Sequence, residues 1–597
     1  MPNKPSVSLA ACLLISPSLW CQGQAPAVTS VAARVERTTA STTESVCSRS
    51  AAGGEVANPP ELRSHNGVLK VDLAFRGFRA ANGEMRYCYV SDRGAQSPSL
   101  RLRPGDLLIL NLTNELPPGS QPDQGATAHP HKPKPAAKRL PAPTICAGDA
   151  MSPLATNLHF HGLAVPPVCH ADDVLRTLLT PGSSFQYRIR IPGNQPSGLY
   201  WYHPHPHGSV EAQVLGGASG ALIVEGIESE NPILAGLPER VLVIRDQRNA
   251  DGRPGKSAAI EDDAYVPEKP SNDLSINSVP IPYPDYPPAI ITAHAGTREF
   301  WRVLNASADT YLDIQIVKGR APRPLGVVAL DGVSIWHDNR QQQIQWNSDI
   351  PLPPGARAEF LVDVPAENTD LRLVTLGVQT GPLTDDDLLF DPNAAATVAD
   401  DDDHMPPRPL ARISTAGISA APLASLPVLA SPKTPRRRPA PTPLSRAETN
   451  RTRKLYFSEG LLHEKDPTGP KTFMITEEGR LPKVFDPASV EPDITVRQGD
   501  VEDWTIENRS QESHVFHIHQ THFRLLERDG TVVDEPYLRD TVAIPYWDGD
   551  PNEFPSVKLR LDFRSPGITG TFPYHCHVLL HEDGGMMGTI RVQPAKR

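Results

Sequence analysis

The sequence predicts an all-β protein built from β-sandwich domains. Its 597 residues include 64 prolines and 42 glycines, whereas aromatic residues make up only 6%. This composition favours strands joined by long irregular connections over a helical protein. Segments in which apolar and polar residues alternate, as they do in strands with one buried face, recur along the chain. One of these near the start has a counterpart of the same layout near the end.

The N-terminus, residues 1–27, has the features of a secretory signal peptide. Lys4 supplies a positive charge, residues 7–19 are mostly apolar, and small residues at 25–27 offer a cleavage site. The apolar run is too short to cross a bilayer, and the rest of the sequence has no longer one. We therefore expect an exported protein, periplasmic or secreted, without a membrane span. A lipoprotein modified at Cys21 is the alternative, which the bulky Trp20 disfavours.

The first domain is predicted over residues 61–227. Strand signals begin at residues 68–73, and residues 100–114 alternate on both sides of a Pro-Gly-Asp turn. Residues 494–508 repeat this layout, and a histidine-bearing strand follows in both places. The repeat predicts that the first and last domains are two copies of one sandwich, with a cluster of histidines at their interface.

A middle domain is predicted over residues 228–417, where strand and turn signals accompany only scattered histidines. We expect it to bind no metal of its own. Its acidic runs at 385–387 and 400–403 are interpreted as solvated loops, with metal capture as the alternative. Residues 418–451 form a proline-rich linker, and the last domain follows at 452–597.

The last domain contains a dense group of metal-ligand residues. His575, Cys576 and His577 follow one another in a β-prone segment, so the two histidines share one face and the thiolate faces the other way. His581 and Met586 follow. A thiolate, two histidines and a weak axial methionine are the ligands of a blue-copper centre, and the second histidine must come from another segment.

Three further segments supply imidazoles. In residues 513–519, His514 faces away from His517 and His519 by the same alternation. Two upstream pairs with one intervening residue add four more, and the full imidazole face then comprises His159, His161, His203, His205, His517, His519, His575 and His577. Eight imidazoles exceed the needs of one ion and match three.

Taken together, residues 157–162, 198–205, 514–519 and 575–586 resemble the four copper motifs of the multicopper oxidases, the laccase-like three-domain blue oxidases. The resemblance implies an all-β fold of three cupredoxin-like Greek-key sandwiches and four copper ions per chain. It implies a type 1 copper on His514, Cys576, His581 and Met586. It also implies a type 2 copper on His159 and His517, and a type 3 pair on His161, His203, His205, His519, His575 and His577.

Three residues are candidates for catalytic roles. Cys576 is bonded through the backbone to His575 and His577, which makes it a route for electrons between the two sites. Glu582 follows a copper ligand, and Asp173 follows the first histidine strand together with Asp172, so both regions could relay protons. The alternative is that these carboxylates lie on the surface.

The implied reaction is oxidation of a phenol or aromatic amine with dioxygen as acceptor. Oxidation of Cu(I) is the alternative within the enzyme class, but a chain with seven methionines lacks the thioether-rich segment that recruits Cu(I). A copper-free binding protein is the alternative outside it, although every ligand position is filled. A formal net charge of −11 without a basic stripe argues against a nucleic-acid partner.

Four cysteines remain once those in the signal peptide and Cys576 are set aside: Cys47, Cys88, Cys146 and Cys169. An even number in an exported chain favours disulfides. Cys146 with Cys169 is the preferred pair because the two flank the first histidine strand. Free thiols are the alternative.

Overall fold

Strands form nearly all of the regular structure, as the alternating segments predict. The computed structural model describes residues 47–80, 83–117, 145–146, 152–249, 269–335, 344–366, 370–382, 404–415, 443–461, 471–489, 491–533, 535 and 538–595. The predicted signal peptide, both acidic runs and most of the predicted linker lie outside these residues. Within them, no helix is both long and apolar enough to cross a membrane.

The first group of strands forms a five-stranded sheet, in the order β1-β4-β9-β8-β6, and a four-stranded sheet, in the order β3-β2-β5-β7. Side chains of both sheets build one apolar core. The strands are β1 Glu61–Arg63, β2 Val68–Arg79, β3 Met85–Ser91, β4 Ser99–Leu102, β5 Leu107–Asn114, β6 His159–His161, β7 Ser184–Arg190, β8 Gly198–His203 and β9 Gly220–Val224.

The second group forms a sheet in the order β12-β11-β10-β14-β21-β17-β18, with β19 beside β17, and another in the order β13-β25-β22-β15-β16, with β20 beside β15. These sheets enclose a second core. The strands are β10 Glu239–Arg248, β11 Asn272–Ile276, β12 Val279–Ile281, β13 Ala289–Thr292, β14 Arg298–Asn305, β15 Leu312–Lys318, β16 Ala321–Arg323, β17 Leu325–Leu330, β18 Val333–Ser334, β19 Gln345–Asn347, β20 Ile350–Leu352, β21 Arg357–Asp363, β22 Leu371–Thr375, β23 Val378–Gln379, β24 His404–Met405 and β25 Arg408–Ser414.

The third group forms a six-stranded sheet, β27-β26-β29-β34-β31-β32, and a five-stranded sheet, β28-β36-β35-β30-β33, around a third core. The strands are β26 Arg451–Leu461, β27 Lys471–Glu477, β28 Ile494–Arg497, β29 Val501–Asn508, β30 His514–Ile518, β31 Phe523–Arg528, β32 Thr531–Val532, β33 Thr541–Ile544, β34 Ser556–Asp562, β35 Gly570–Cys576 and β36 Met587–Gln593. The three pairs of sheets confirm the all-β sandwich fold, while the domain boundaries stay a prediction.

The internal repeat is visible in the strand order. The order β4-β9-β8-β6 in the first group matches β28-β36-β35-β30 in the third, and both begin with a parallel pair followed by antiparallel pairs. Within these sheets His159 lies opposite His203, and His517 lies opposite His575. Directly opposed residues of an antiparallel pair have their side chains on the same face, so each half gathers its histidines on one side of its sheet.

Short helices connect these strands: α1 Val210–Leu215, α2 Ile227–Glu230 and α3 Leu579–Asp583. Helix α3 carries His581 and is held by residues of other groups. The Leu579 amide donates to the Ala308 carbonyl at 3.0 Å, and the Asp583 carboxylate accepts from the amides of Gly208 and Glu211 at 2.6 and 3.0 Å. All described residues belong to a single unit, Ser45–Arg597.

Candidate metal centre

One buried site consists of His514, Cys576 and His581. The Nδ1 atoms of the two histidines lie 3.0 Å apart, and the Cys576 Sγ lies 3.6 and 3.7 Å from them. His514 begins strand β30, Cys576 ends the adjacent strand β35, and His581 lies in helix α3. Three soft or borderline ligand atoms within this distance of one another are arranged as a trigonal copper site requires.

Met586 is fully buried beside this site. Its amide donates to the carbonyl of His581 at 2.9 Å, and its carbonyl accepts from the Cys576 amide at 3.1 Å. The backbone of Met586 therefore bridges two of the candidate ligands. The Val515 amide donates to the Cys576 Sγ at 3.4 Å, which stabilises a thiolate at that position.

The other eight histidines form a second buried cluster, in which no ring is more than 2% exposed. Their ring nitrogens lie within 4.8 Å of one another in three triads: His159 with His517 and His519, His161 with His203 and His577, and His205 with His519 and His575. Strands β6 and β8 carry His159, His161 and His203, and strands β30 and β35 carry His517 and His575. The other three rings, those of His205, His519 and His577, lie one or two residues beyond the ends of β8, β30 and β35. The structure thus brings together all eight histidines of the predicted imidazole face.

The ring nitrogens that point into the cluster have the properties of metal ligands. Nε2 of His159, His161, His203 and His517, and both ring nitrogens of His577, have no hydrogen-bond partner among the described residues although they are buried. Buried polar atoms are normally satisfied, so these positions fit a metal. Burial also lowers the pKa of His205 to about 3 and that of several neighbours well below the ordinary value. A neutral imidazole is the form that binds a metal.

A carboxylate orients one of these rings. Nδ1 of His159 lies 3.0 Å from Oδ2 of Asp172, and the Phe160 amide donates to Oδ1 of the same residue at 3.0 Å. The Gln520 side chain also hydrogen-bonds to Asp172. With Nδ1–H donated to the carboxylate, Nε2 is left as the ligand atom.

The sequence favoured Asp173 over Asp172, and the structure places them differently. Asp172 is the one of the two within hydrogen-bonding distance of His159. Asp173 is half-buried, and burial raises its pKa to about 6. The turn that follows β6 decides which carboxylate faces the cluster: His170 has φ 67°, and the Asp172 amide donates back to the Pro166 carbonyl at 3.1 Å.

Glu582, a candidate proton relay by its position after His581, is fully buried against the cluster and is not a surface carboxylate. Its Oε2 lies 3.1 Å from Nδ1 of His575 and its Oε1 lies 3.4 Å from Nδ1 of His205. The His575 Nδ1 hydrogen bond is directed at the Cys576 carbonyl, at 2.8 Å, so neither Glu582 oxygen has a well-aligned donor. Burial raises the pKa of Glu582, but the two adjacent imidazoles outweigh it and lower the pKa to about 2.

The middle group of strands reaches the cluster through Arg357, the first residue of β21. Its guanidinium makes two bonds to Asp540, at 2.6 and 2.7 Å, and its Nη1 lies 3.2 Å from Nδ1 of His161. The Asp540 carbonyl lies 2.7 Å from Nδ1 of His517. No motif in the sequence indicated this contact. The turn-forming residues just before Arg357 were the only feature that could have marked the position.

The turn itself also touches a histidine. Gly355 has φ 83°, and a β-carbon at this position would lie 2.8 Å from Nε2 of His577. Both the backbone conformation and the close approach therefore require glycine. The middle group was predicted only to bind no metal of its own, yet it packs directly on the histidine cluster.

Two carboxylates flank the outer side of the first site. Nε2 of His581 lies 3.0 Å from Oε2 of Glu512, and Lys471, which is about one-third exposed, bonds to Glu512 and lies 3.4 Å from Glu459. Burial raises the pKa of Glu512, but the hydrogen bond from His581 and the Lys471 charge lower it overall. Burial and the adjacent Glu512 raise the pKa of Glu459. The sequence did not indicate either residue.

The preferred disulfide is confirmed, since Cys146 is bonded to Cys169. The other two cysteines, Cys47 and Cys88, form a second disulfide. Among the described residues, Cys576 is the free cysteine, and it is buried.

Two sequence-family models, each described as multicopper oxidase, match residues 150–229 and 464–596. The chain is 24% identical over 444 residues to a multicopper oxidase of Staphylococcus haemolyticus, covering 73% of this chain and 76% of that protein. It is also 24% identical over 482 residues to a laccase of Bacillus stratosphericus, covering 74% and 82%.

Among solved structures, a multicopper oxidase from Campylobacter jejuni described as a metallo-oxidase superposes with a TM-score of 0.60 at 22% identity, over 91% of this chain and 96% of that one. These likenesses confirm the cupredoxin-like fold class. With the histidine clusters, they support a copper-binding oxidase that uses oxygen.

Proposed function

This chain belongs to the multicopper oxidase family, and we propose that it couples one-electron oxidation of phenols or aromatic amines to four-electron reduction of dioxygen to water. The proposal assigns a type 1 copper to His514, Cys576, His581 and Met586. It assigns three further coppers to the eight-histidine cluster, making four per chain. Bound copper supplies the one-electron redox chemistry, toward the donor at the first site and toward dioxygen at the second.

The single observation that carries this proposal is the position of Cys576. It belongs to the first site, while its chain neighbours His575 and His577 belong to two different triads of the second. Two buried sites of different ligand type are therefore joined by one covalent segment. A protein that only stored copper would not need this link, whereas an oxidase must move electrons between a one-electron donor and a four-electron acceptor.

The donor side of the first site is suited to a phenol. A phenol loses a proton as well as an electron on oxidation, and the Glu512 carboxylate, 3.0 Å from Nε2 of His581, can accept that proton. The lowered pKa of Glu512 keeps it ionised at neutral pH. Lys471 and Glu459 form the rim through which a donor would reach this carboxylate.

On the oxygen side, this chain's own residues orient ligands and move protons. Asp172 holds Nδ1–H of His159 and so directs Nε2 inward. We assign Glu582 as the proton relay because its two oxygens face His205 and His575 from inside the protein.

A metallo-oxidase is the second candidate. The carboxylates of Glu512, 3.0 Å from Nε2 of His581, and of Glu459, 3.9 Å from Nε2 of His514, could hold a metal ion that acts as the electron donor. The superposed Campylobacter jejuni enzyme is described as a metallo-oxidase. Carboxylate oxygens suit hard ions better than Cu(I), so this arrangement favours a phenol over Cu(I) as the electron donor.

The test is oxygen uptake by the copper-loaded protein with a simple phenol and, separately, with Cu(I). The Cys576→Ser variant is the control, because it removes the thiolate and leaves the eight histidines. We expect uptake with the phenol in the absence of added copper and none with the variant. Uptake with Cu(I) alone would move the function to metal oxidation, and no uptake with either would refute the oxidase.

The remaining proposal concerns location. Two disulfides among the described residues are typical of exported proteins, which supports the prediction of a periplasmic or secreted enzyme released from a signal peptide at residues 1–27. N-terminal sequencing of the protein recovered outside the cytoplasm tests it, and an intact Met1 would contradict it.

A further inference from the structure

The carboxylate of Asp331, in the turn between strands β17 and β18, joins the middle group of strands to the third group. Asp331 is 1% exposed, and its Oδ1 accepts from the Arg357 amide at 3.0 Å. Its Oδ2 accepts from the amides of Asp540 and Thr541, both at 3.1 Å, and from the Thr541 hydroxyl at 2.9 Å. One side chain therefore fixes the backbone of both members of the Arg357–Asp540 ion pair.

That ion pair touches two rings of the histidine cluster. Nη1 of Arg357 lies 3.2 Å from Nδ1 of His161, and the Asp540 carbonyl lies 2.7 Å from Nδ1 of His517. Thr541 is also the residue opposite His517 in the pairing of strands β30 and β33. Outer partners of a histidine orient its ring toward a metal. The turn between β17 and β18 thus reaches both rings through one intervening residue.

A second buried carboxylate of the middle group, Asp246 on strand β10, has the same bonding pattern. Asp246 is 1% exposed, and its Oδ1 accepts from the Ala308 amide at 2.8 Å. Its Oδ2 accepts from the amides of Asp309 and Thr310, at 3.0 and 3.2 Å, and from the Thr310 hydroxyl at 3.2 Å. As in the first case, one oxygen takes a single amide while the other takes two amides and a threonine hydroxyl.

The segment held by this second carboxylate leads to the first candidate copper site. The Ala308 carbonyl accepts from the Leu579 amide at 3.0 Å, and Oδ1 of Asp309 accepts from the Leu580 amide at 3.1 Å. Both amides belong to the start of helix α3, which carries His581. The side chains of Ala308 and Leu579 also pack in one apolar cluster. The placement of the His581 ring therefore depends on this segment.

We propose that Asp331 and Asp246 are positioning residues, one for each copper site. Asp331 aligns the rings of His161 and His517 in the histidine cluster, and Asp246 places His581 at the type 1 site. The inference rests on the proposed function, since that reaction needs copper at both sites. It gives the middle group of strands separate control of the two sites through two carboxylates with the same hydrogen-bonding pattern.

The experiment compares copper-loaded Asp331→Asn and Asp246→Asn. Asparagine keeps the shape of the side chain, but its NH2 group is a donor, so one set of amides loses its acceptor in each variant. We expect Asp331→Asn to bind type 2 and type 3 copper about 10-fold more weakly against a chelator, with a reduced type 2 EPR signal and an intact blue band. We expect the reverse in Asp246→Asn, namely a weakened blue band and altered type 1 EPR splitting with the type 2 signal of the wild type.

A second pair of variants keeps the test decisive if an asparagine variant does not fold. Thr541→Val and Thr310→Val each remove one hydroxyl bond to the carboxylate and keep the shape of the side chain. The two threonines are matched in burial, at 1% and 2% exposure. We expect the same opposite changes in the two copper sites, smaller in size.

Melting temperatures of all four variants separate positioning from destabilisation, because a general loss of stability would affect both copper sites alike. Loss of the same type of copper in both members of a pair, or unchanged spectra in both, would overturn the proposal. A change in only one member would overturn the assignment of the other carboxylate. Either failure leaves the oxidase standing if the wild type takes up oxygen with a phenol. A wild type without uptake would refute the oxidase, and the copper spectra would still decide the positioning.

Discussion

At the residue scale, Glu582 is a fully buried carboxylate beside the histidine cluster. Glu582→Gln keeps the shape of the side chain but removes its ability to carry a proton. We expect dioxygen reduction to slow by ~10²-fold, the lower end of what a positioned acid or base contributes. Reduction of the type 1 site by donor should keep its rate, because Glu582 does not contact Cys576, His514 or that site's donor side.

Stopped-flow absorbance separates the two half-reactions. Loss of the blue absorption band of the type 1 site under anaerobic conditions measures reduction by the donor. Return of the band on mixing with oxygen measures reoxidation by dioxygen. Glu478→Gln, at a half-exposed surface carboxylate, serves as the control and should leave both rates unchanged. Recovery at the wild-type rate in Glu582→Gln would remove this residue from the mechanism.

Asp172 and Asp173 form an internal comparison, because they are adjacent in the chain and differ in what they touch. Asp172→Asn weakens the acceptor that orients His159. Loss of a carboxylate that orients a metal-binding histidine typically costs about 10- to 100-fold in metal affinity or activity. Asp173→Asn should leave turnover within about twofold. Measuring copper content and turnover for both variants tests the assignment, and a larger defect in Asp173→Asn would restore the interpretation made from sequence.

At the element scale, the turn before β21 connects the middle strands to the copper cluster. Arg357 contacts Asp540 and His161, and Gly355 packs on His577. This segment thus contacts one triad directly, through His161 and His577, and supplies none of its ring nitrogens. It reaches a second triad through Asp540, whose carbonyl lies 2.7 Å from Nδ1 of His517. The middle group can therefore lack ligands and still position the site.

Arg357→Lys retains the charge but loses the planar fork that binds Asp540 at two points. We expect loss of type 2 and type 3 copper, seen by EPR and by copper content, while the blue band of the type 1 site persists. Arg302→Lys is the comparison, since Arg302 is a buried arginine paired with Glu239 and Glu359 away from the histidines. Equal copper loss in both variants would indicate general destabilisation rather than positioning by Arg357.

The Cys146–Cys169 disulfide acts on another element, strand β6, which lies between the two cysteines in the chain. It closes a loop with a sequence separation of 23, for which the chain-entropy relation gives about 3 kcal/mol of stabilisation. Cys146→Ser combined with Cys169→Ser should lower the melting temperature by several degrees and reduce copper retention at His159 and His161. The corresponding double variant at Cys47 and Cys88 should lower the melting temperature without copper loss. Copper loss in both double variants, or in neither, would contradict a specific role of the Cys146–Cys169 disulfide in holding strand β6.

At the scale of the whole molecule, the chemistry-bearing residues could be predicted from sequence because each lies in a short segment with period-two spacing. Strand alternation fixes which side chains share a face, so the separation of Cys576 from His575 and His577 needed no structure. The division of the eight rings into triads could not be predicted, because it depends on how two sandwiches meet. The choice between Asp172 and Asp173 depends on one turn. Arg357 and Asp540 come from distant segments without a periodic signal, and Glu512 lies two residues before His514 but outside the alternating strand.

The distribution of ligands over two sandwiches leads to the last prediction. Each triad takes rings from both the first and the third group of strands, so bound copper stabilises the contact between groups as well as each group itself. The copper sites exist only in the folded protein, so copper binding stabilises the folded state relative to the unfolded chain. The copper-free protein should therefore unfold at a lower temperature and in a broader or divided transition. Added copper should raise the melting temperature and make the unfolding transition narrower.

Differential scanning calorimetry with and without copper measures this effect, and His159→Gln together with His161→Gln provides the matched control. That variant loses first-group ligands of the cluster but keeps the complete type 1 site in the third group. Copper should still bind and produce the blue band in the variant, yet the coupling of the transitions should be lost. If the variant gained the same stabilisation as the wild type, copper would be acting within the third group alone, and the cluster would not be what joins the two sandwiches.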